Sequence, residues 1–551
     1  MRLIHPVLGC ALAVLPFSIQ ASPQTDAGQS LQSLNQKPLS LPERQTLELN
    51  LPSAPADANS ASGAGTLVVE AFVFEGNAAL PDSQLQPLLA DLRGQRVTLA
   101  ALQAGLQRIT DLYRAQGYPL ARAYLPAQSV EQGQVRIGIL EGRYGTVRAE
   151  NAAQLRGFAL APLAQLESGQ QVQDQPLTRN LLLLKELPGH DARATLQPGA
   201  STGTSDLLVD MRTGNRVSGS VDADNYGNRY IGQYRLGGSV NVNNPLSLGD
   251  RLSLRATGSD EDQRYGRIAY QVPVSAWSTQ LGVAYSEMSY ELGRNFADLD
   301  AHGNARVASL FALQPLVRRR GLTLDAQLQF DAKRLRDIID AFNDRLDKRS
   351  RVVTASLNGS SQDDLWGGGV SSFSLAWSHG ELDIAGAAKR LEDQNTAGTR
   401  GSFNKLTPSL VRLQRLTPRF SLYSQLQGQW ADRNLESSEK FYLGGAYGVR
   451  AYPQGEASGD QGWLTNLELR YALTPTWQLA TFLDHGQVRV NRDPWTAEDN
   501  HRGLSGTGVG ATWAAYGWRV NAVAAWKLGN AEPISDADRS PRIWAQVSRF
   551  F

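Results

Sequence analysis

From residue 216 to residue 551 the chain is a succession of short segments in which apolar and polar residues alternate. In the segment 322–330, for example, every second residue is apolar. Because successive side chains of a strand point to opposite faces, each segment has one face suited to lipid and one suited to water. The segments are about 10 residues long, the length that a tilted strand needs to cross a bilayer. In a soluble β-sandwich the polar faces would be buried without partners. The pattern therefore predicts a transmembrane antiparallel β-barrel.

The barrel is predicted to occupy residues 214–551 with about 16 strands. The candidate strands begin near residues 216, 233, 250, 266, 278, 303, 322, 350, 368, 402, 419, 462, 477, 504, 517 and 542. An even number of strands returns the chain to the side of the membrane from which it entered. By this count, residues 432–460 form the sixth loop on the opposite side, and Asp484 lies on strand 13.

One cation and one anion stand out in this region. Residues 441–460 are rich in Gly and aromatic residues and carry Arg450, and residues 481–487 form an apolar strand with Asp484 in it. A charge on a barrel strand is tolerated when it faces the lumen, and a buried charge without a partner is costly. We predict that the sixth loop folds back into the lumen and that Arg450 pairs with Asp484. The alternative is a generic porin loop and a generic lumen carboxylate.

The stretch Val449-Arg450-Ala451-Tyr452 resembles the VRGY loop signature of the outer-membrane transporters of two-partner secretion, a branch of type V secretion that includes the haemolysin and filamentous-haemagglutinin transporters. Their superfamily joins POTRA domains to a 16-stranded barrel. Ala451 stands where the signature usually has Gly. Because Ala resists positive φ, this departure leaves the turn geometry in doubt.

The second stretch, Phe482-x-Asp484-x-Gly486, resembles the strand motif F-x-D-x-G of the same family. The resemblance implies that Arg450 and Asp484 lock the loop to the barrel wall, with Phe482 and Gly486 completing the strand motif. The loop residues that it assigns to the motif are Val449, Tyr452, Gly445 and Glu456.

Residues 1–21 are typical of a secretory signal peptide, with Arg2 before an apolar stretch and a cleavage site after Ala21. Residues 22–64 are rich in Ser, Pro, Gln and Ala and are predicted to be a linker. Within them, Asp26 is placed to cap a short helix over residues 27–37, with Leu31 and Leu34 on one side. In the resembling family such a helix plugs the barrel. An unstructured tail is the alternative, since an 11-residue helix is marginal alone.

Residues 65–143 have the pattern of a compact α+β unit. Apolar residues recur at three- and four-residue steps from Leu99 to Leu112, which predicts an amphipathic helix, and the overall order is β-α-α-β-β. The run GYPLARAYLPAQSVEQGQVRIGILEG resembles the first POTRA domain of the family. Residues 144–213 repeat the pattern in weaker form and are predicted to be a second POTRA domain. The edge strands of such units can accept an extended client by β-augmentation.

The last residue, Phe551, ends a segment that resembles the signal by which outer-membrane barrels are recognised for assembly. Arg549 stands where an aromatic residue is more usual, so the match is partial.

The sequence offers little to catalysis. It has neither a Walker-type phosphate loop nor a Rossmann fingerprint, and none of its six His is spaced as a metal site. Asp484 and His485 are adjacent on a strand and therefore point to opposite faces. The formal net charge of +1 does not indicate a nucleic-acid partner. We predict no enzymatic activity, no cofactor and no metal.

The resemblance implies a pore in the outer membrane of a Gram-negative bacterium with its POTRA domains in the periplasm. The pore recognises an unfolded partner protein through those domains and moves it to the cell surface or medium without nucleotide hydrolysis. The implied partners are a large secreted adhesin, cytolysin or toxin encoded next to it, outer-membrane lipids and the barrel assembly machinery. A factor that assembles and inserts other barrels is the main alternative, and a passive porin is a weaker one.

Overall fold

The computed structural model describes residues 25–35, 41, 49–50 and 66–551. The predicted signal peptide, residues 1–21, and most of the predicted linker lie outside these ranges. Helix α1 runs over Ala27–Asn35, and the last two residues of its predicted range are not described. Strand β1 (Leu49–Asn50) also lies in the segment predicted to be a linker, where composition alone gave no sign of a strand. Across the described ranges, every helix is too short or too polar to cross a membrane.

Residues 66–142 form the first α+β unit. Its helices and strands are β2 (Thr66–Val68), β3 (Ala71–Glu75), α2 (Asp82–Leu85), β4 (Arg96–Thr98), α3 (Leu99–Ala115), β5 (Arg122–Tyr124) and β6 (Gln134–Leu140). The hydroxyl of Thr98 accepts from Ala101 N at 3.2 Å, which caps the N-terminus of α3. The apolar face of α3 packs on a sheet of order β3-β6-β5, in which β6 is central. Apart from β2 and β4, which form a separate two-stranded sheet, the elements follow the predicted β-α-α-β-β order.

Residues 143–213 form a second α+β unit that joins the first to the barrel. Its elements are β7 (Arg143–Asn151), α4 (Asp174–Lys185), β8 (His190–Pro198) and β9 (Thr204–Thr213). The sheet order is β1-β8-β9-β7, so that β1 extends the sheet as a parallel neighbour of β8. Two short 3-10 turns, Gly157–Leu160 and Leu163–Gln165, precede α4. The description of this unit as a second POTRA domain stays a prediction.

The rest of the chain is a closed barrel of sixteen antiparallel strands, which confirms the predicted fold class. The largest difference from the predicted starts is six residues, at β17, which begins at Asp344. The strands up to the sixth loop are β10 (Val217–Asp224), β11 (Arg235–Asn243), β12 (Arg251–Ser259), β13 (Arg264–Pro273), β14 (Gln280–Glu291), β15 (Ala301–Arg319), β16 (Leu322–Ile339), β17 (Asp344–Asp363), β18 (Gly369–Ile384), β19 (Gly401–Arg415) and β20 (Phe420–Ala431). Two short strands of that loop, β21 (Phe441–Tyr442) and β22 (Ser458–Gly459), precede β23 (Gln461–Ala472), β24 (Trp477–Arg489), β25 (His501–Ala515), β26 (Trp518–Lys527) and β27 (Arg542–Phe550).

The first and last strands close the barrel at the chain terminus. β10 and β27 are antiparallel neighbours, and Gly219 N donates to the carbonyl oxygen of Phe551 at 2.9 Å. A Cβ at Gly219 would lie 2.7 Å from the ring of Phe551, so the terminal ring needs a glycine at this point of the wall. The role of Phe551 as an assembly signal stays a prediction.

Because β10 leaves the second α+β unit and β27 returns to the same end, the loops alternate between the two ends of the barrel. Residues 432–460, between β20 and β23, are the sixth loop at the end opposite the α+β units. The fifth loop at that end carries helix α5 (Ala387–Asn395).

Candidate functional site

The sixth loop, residues 432–460, fills part of the barrel interior. Leu443, Val449 and Tyr452 in the loop are fully buried, and they pack in one cluster with side chains of the inner wall. The wall residues of this cluster are Leu464, Phe482, Val488, Leu504 and Ala525. The loop is therefore a packed element of the lumen.

Arg450 and Asp484, on the sixth loop and on β24, are in direct contact. Arg450 Nη2 donates to Asp484 Oδ1 at 2.7 Å, and Arg450 Nε donates to Asp484 Oδ2 at 2.9 Å. The backbone N of Arg450 donates to the same Oδ2 at 3.0 Å. Asp484 is 1% exposed and Arg450 is 9% exposed. Two parallel bonds between a guanidinium and a carboxylate define both distance and orientation, so this pair fixes the loop against the wall.

Three further wall residues, which were not predicted from the sequence, surround this pair. Glu468 Oε1 accepts from Arg450 Nη1 at 2.6 Å, and Glu468 Oε2 accepts from Arg470 at 2.8 Å. Asn466, directly opposite Asp484 in the sheet, donates to Asp484 Oδ1 at 2.7 Å. The centre thus contains two arginines and two carboxylates and is neutral overall. From Asn466 to Arg470, polar residues recur at every second position of β23, and this spacing indicates that they share the lumen face.

The guanidinium of Arg450 stacks on the ring of Phe482. Arg450 Cζ lies 3.5 Å from the centroid of the Phe482 ring, a close cation–π contact in a position sheltered from water. Glycines make room for this stack. A Cβ at Gly508, opposite Phe482, would lie 2.4 Å from its ring, and a Cβ at Gly486 would lie 2.6 Å from Leu443 of the loop.

The remaining predicted loop residues hold the loop's own shape and its contact with the eighth loop, residues 528–541. Val449 N donates to Leu443 O at 2.7 Å, and Tyr452 Oη donates to Ala531 O at 2.9 Å. Gly445 has φ +127°, a conformation that favours glycine. Glu456, fully buried, accepts from Ser535 N at 2.8 Å and from the guanidinium of Arg502.

Ala451 does not strain the turn. It is absent from the non-glycine residues of positive φ in the described part of the chain, and its methyl group lies against Gly506 of the wall. The backbone at this position of the signature therefore accommodates alanine in place of glycine.

Helix α1 is the second occupant of the lumen. Ala27 and Leu31 are buried in a cluster with residues of β13 to β16. The carboxylate of Asp26 accepts from Ser437 Oγ at 2.7 and 2.6 Å and from Lys348 Nζ at 3.3 Å. Gly28 is packed so closely that a Cβ would lie 2.2 Å from Ser437 Oγ. The helix therefore docks on the sixth loop as well as on the wall.

Lysines of the wall hold the base of the loop beside α1. Lys348 Nζ donates to Glu436 at 3.0 Å, and Glu439 accepts from Lys333 at 2.5 Å and from Lys405 at 2.7 Å. Burial opposes ionisation of Glu439, but the two ammonium groups outweigh it and hold the pKa of its carboxyl at about 2. These contacts join residues far apart in sequence, which local patterns do not indicate.

Asp484 and His485 lie on opposite faces of β24. His485 is exposed on the outer wall, with its ring 5.1 Å from that of Trp463 and its Nδ1 2.7 Å from Ser505 Oγ. Elsewhere, the start of β15 and the two loops beside it bring together Asp300, His302 and Asp340, whose ligand atoms all lie within 4.8 Å of one another. The spacing of the histidines along the chain does not indicate that cluster.

Comparison with known proteins agrees with this architecture. The family model "Haemolysin secretion/activation protein ShlB/FhaC/HecB" matches residues 203–513, and the model "POTRA domain, ShlB-type" matches residues 67–142. The "Heme/hemopexin transporter protein HuxB" of Haemophilus influenzae is 28% identical over the whole of both chains. The "Outer membrane transporter CdiB" of Escherichia coli O6:K15:H31 is 26% identical over 88% of this chain and 84% of its own. A solved structure of CdiB from Escherichia coli has the same fold, with a TM-score of 0.72, 21% identity and 96% of each chain covered.

Proposed function

The chain belongs to the haemolysin secretion/activation protein family, and from this premise we propose a mechanism in which one occupant of the lumen leaves while the other stays. The protein is an outer-membrane transporter of two-partner secretion, with its POTRA domain in the periplasm and its pore in the membrane. During export of the partner protein, α1 withdraws from the lumen. The sixth loop remains fixed by Arg450 and Asp484 and forms one wall of the path.

The observation that carries this proposal is the difference in how the two occupants are held. The sixth loop is continuous with strands at both ends and is anchored by a buried, bidentate ion pair. Helix α1 has 9 residues, too few for a stable isolated helix, and the charged contacts at its start run through Asp26. Its departure frees the polar groups around Asp26 for water, uncovers the apolar wall residues packed on Ala27 and Leu31, and leaves every barrel strand paired.

The path beneath the loop suits an unfolded chain. A cavity of about 900 Å³ lies there, and its walls carry charges of both signs. The charged residues of the lining are Asp222, Asp224, Arg235, Arg255, Arg450, Glu468, Arg470 and Arg519. A wall of mixed charge stays hydrated and gives an extended client no large apolar surface on which to stick. The lining carries five arginines and three carboxylates, so its net charge is +2.

Client capture in the periplasm follows from the open sheet edges. In the first unit β3 and β5 lie at the two edges of their sheet, and in the second unit β1 and β7 do so. An extended client segment can pair with such an edge through backbone hydrogen bonds, which are indifferent to sequence. We propose that both units act in this way, one after the other, with the second unit also performing the role of a POTRA domain.

We propose that the client is one large exported protein encoded next to the transporter. The match to HuxB spans the whole of both chains, so a client that functions with haem or haemopexin is the first class to test. Other relatives are named as CdiB transporters and as a haemolysin transporter, so contact-dependent toxins and cytolysins are the next classes of client to test. We propose that transport involves no catalytic step and no nucleotide. We also propose that the barrel assembly machinery recognises the terminal strand and inserts the transporter into the outer membrane.

Quantitative proteomics of the culture medium and the outer membrane, with and without this gene, tests the proposal. Loss of one large exported protein with other barrels unchanged is the expected result. A broad fall in other outer-membrane barrels would instead indicate an assembly factor, and no change in either fraction would leave a passive porin as the explanation.

A further inference from the structure

The outer face of the barrel carries a row of three arginines in direct cross-strand register. Arg306 on β15 is opposite Arg334 on β16, and Arg334 is opposite Arg349 on β17. All three side chains are exposed. They face outward, because the neighbours of Arg334 along β16, Lys333 and Leu335, face the lumen, where Lys333 binds the sixth loop and Leu335 packs with α1. These three residues are called the arginine row below.

Like charges directly opposite each other on neighbouring strands are destabilising. Only Arg306 has a carboxylate partner, Glu287 Oε1 at 2.8 Å. Within residues 66–551, no carboxylate oxygen lies within 4.0 Å of Arg334 or Arg349. The residue opposite Arg349 on β18 is Asp383, which already accepts from Arg400 at 3.0 Å. The surface therefore has positive charge that its own side chains do not neutralise.

The height of the row places it at the lipid head groups. On β16 the outward-facing residues from Leu322 to Ala332 are all apolar. Ten residue steps at about 3.4 Å, on a strand tilted by roughly 40°, span about 26 Å along the membrane normal, close to the apolar band of roughly 25 Å that surrounds such barrels. Arg334 is the next outward residue, at the end opposite the periplasmic units. On β16 the row thus begins where the hydrocarbon of the extracellular leaflet ends, and on β17 a further exposed outward arginine, Arg351, lies two residues nearer the membrane than Arg349.

The surroundings on either side fit the same boundary. Leu310, Phe330 and Val353, each four residues before or after its arginine, form an exposed apolar row on the membrane side. On the other side Arg336 and Arg345 share one carboxylate, Asp347, each at 2.6 Å. Positive charge therefore exceeds negative charge across the three strands at this level.

We propose that the arginine row binds phosphate groups on the head group of a phosphorylated glycolipid of the extracellular leaflet. A guanidinium presents paired donors that match phosphate oxygens, and three of them side by side can share one or two phosphates. The acyl chains of the same lipid then lie along the apolar row of Leu310, Phe330 and Val353. Bound phosphate removes the repulsion among the arginines and holds three long strands, β15 to β17, against the membrane.

The test measures lipid binding by the purified full-length transporter in detergent, using native mass spectrometry. The probes are bis-phosphorylated lipid A, the same lipid A with its phosphates removed, phosphatidylglycerol and inorganic phosphate. The test variant is Arg334→Gln/Arg349→Gln. The matched control is Arg264→Gln, which removes an exposed, outward arginine at the same end of β13 that is already paired with Asp262 at 3.0 Å.

An arginine near an anionic membrane surface contributes about fivefold to binding, so losing two weakens lipid A binding by about thirtyfold. Dephosphorylated lipid A should bind the native protein as weakly as lipid A binds the double glutamine variant. Arg264→Gln should bind lipid A as tightly as the native protein does. Native-like binding by the double glutamine variant would overturn the proposal, as would an equal loss in the control. Inorganic phosphate or phosphatidylglycerol binding as tightly as lipid A would also overturn it, since the phosphate would then come from solution or from any anionic lipid. If the double variant does not assemble, Arg334→Lys/Arg349→Lys keeps the charge, and the proposal requires its binding to lie between those of the native protein and the dephosphorylated probe.

Discussion

Replacing Arg450 by alanine is expected to release the sixth loop while leaving the barrel assembled. The change removes two side-chain hydrogen bonds to Asp484 and one to Glu468, keeps the backbone bond to Asp484, and strands a carboxylate that is 1% exposed. Breaking a buried ion pair from one side costs about 3–5 kcal/mol. That cost shifts the ratio of docked to undocked loop by roughly a hundredfold to several thousandfold. The sixteen-strand hydrogen-bond network does not include this pair, so the barrel itself persists.

Two readouts separate the loop from the barrel. Limited proteolysis with mass spectrometry reports cleavage within residues 432–460, and heat-modifiable migration in gels reports barrel assembly. We expect Arg450→Ala to be cleaved in the loop and to secrete far less partner protein, with migration unchanged.

Two further variants test the reason for the effect. Arg450→Lys keeps the charge but loses the planar fork, so it should fall between alanine and the native protein. Arg450→Ala/Asp484→Asn removes the stranded charge and should regain part of the loop protection. Full protection and normal secretion by Arg450→Ala would show that the ion pair does not hold the loop, and so would a double variant whose loop is cleaved as readily as that of the single one.

Two glycine substitutions test the packing of the lumen. Gly28→Leu should expel α1, because a Cβ there would lie 2.2 Å from Ser437 Oγ. The purified channel should then conduct more ions in planar bilayers. Unchanged conductance would mean that α1 does not obstruct the pore. Gly508→Ala should lower the temperature at which heat-modifiable migration is lost, since overpacking against Phe482 costs about 1–3 kcal/mol. Gly510→Ala, whose nearest neighbour atom would be 3.5 Å away, is the control and should have no effect, and equal losses in both would contradict the packing argument.

The strand pattern could be predicted because it is local. Each wall segment contacts lipid on one face and water on the other, so apolar and polar side chains alternate along it whatever the rest of the fold is. The prediction was least accurate at β17, which begins at Asp344 instead of near residue 350. Residues 344–349 are mostly charged on both faces, because this part of the strand extends past the hydrocarbon.

The partners inside the lumen could be predicted only in part. Arg450 and Asp484 stood out because at least four uncharged or neutral residues flank each of them on both sides. Glu468 and Lys348 did not, because charged and polar residues surround each of them in sequence. Their roles depend on strand register and on how deeply the loop and α1 enter the barrel, and neither quantity is a property of a short segment.

The addition of β1 to the second α+β sheet was unpredictable for a related reason. Leu49 and Asn50 lie in a stretch whose composition is that of a linker, and they form a strand only because the exposed edge of β8 pairs with them. Backbone pairing of this kind leaves no signature in side-chain pattern.

In the proposed mechanism the partner protein passes through the lumen beside the anchored loop. A photo-crosslinking amino acid at Ala480, which faces the lumen cavity, is compared with the same amino acid at Leu479, the preceding residue of β24, which is exposed on the outer face. In cells that are secreting, we expect crosslinks to the partner protein from position 480 and none from position 479. Equal crosslinking at the two positions, or none at position 480 while secretion continues, would contradict it.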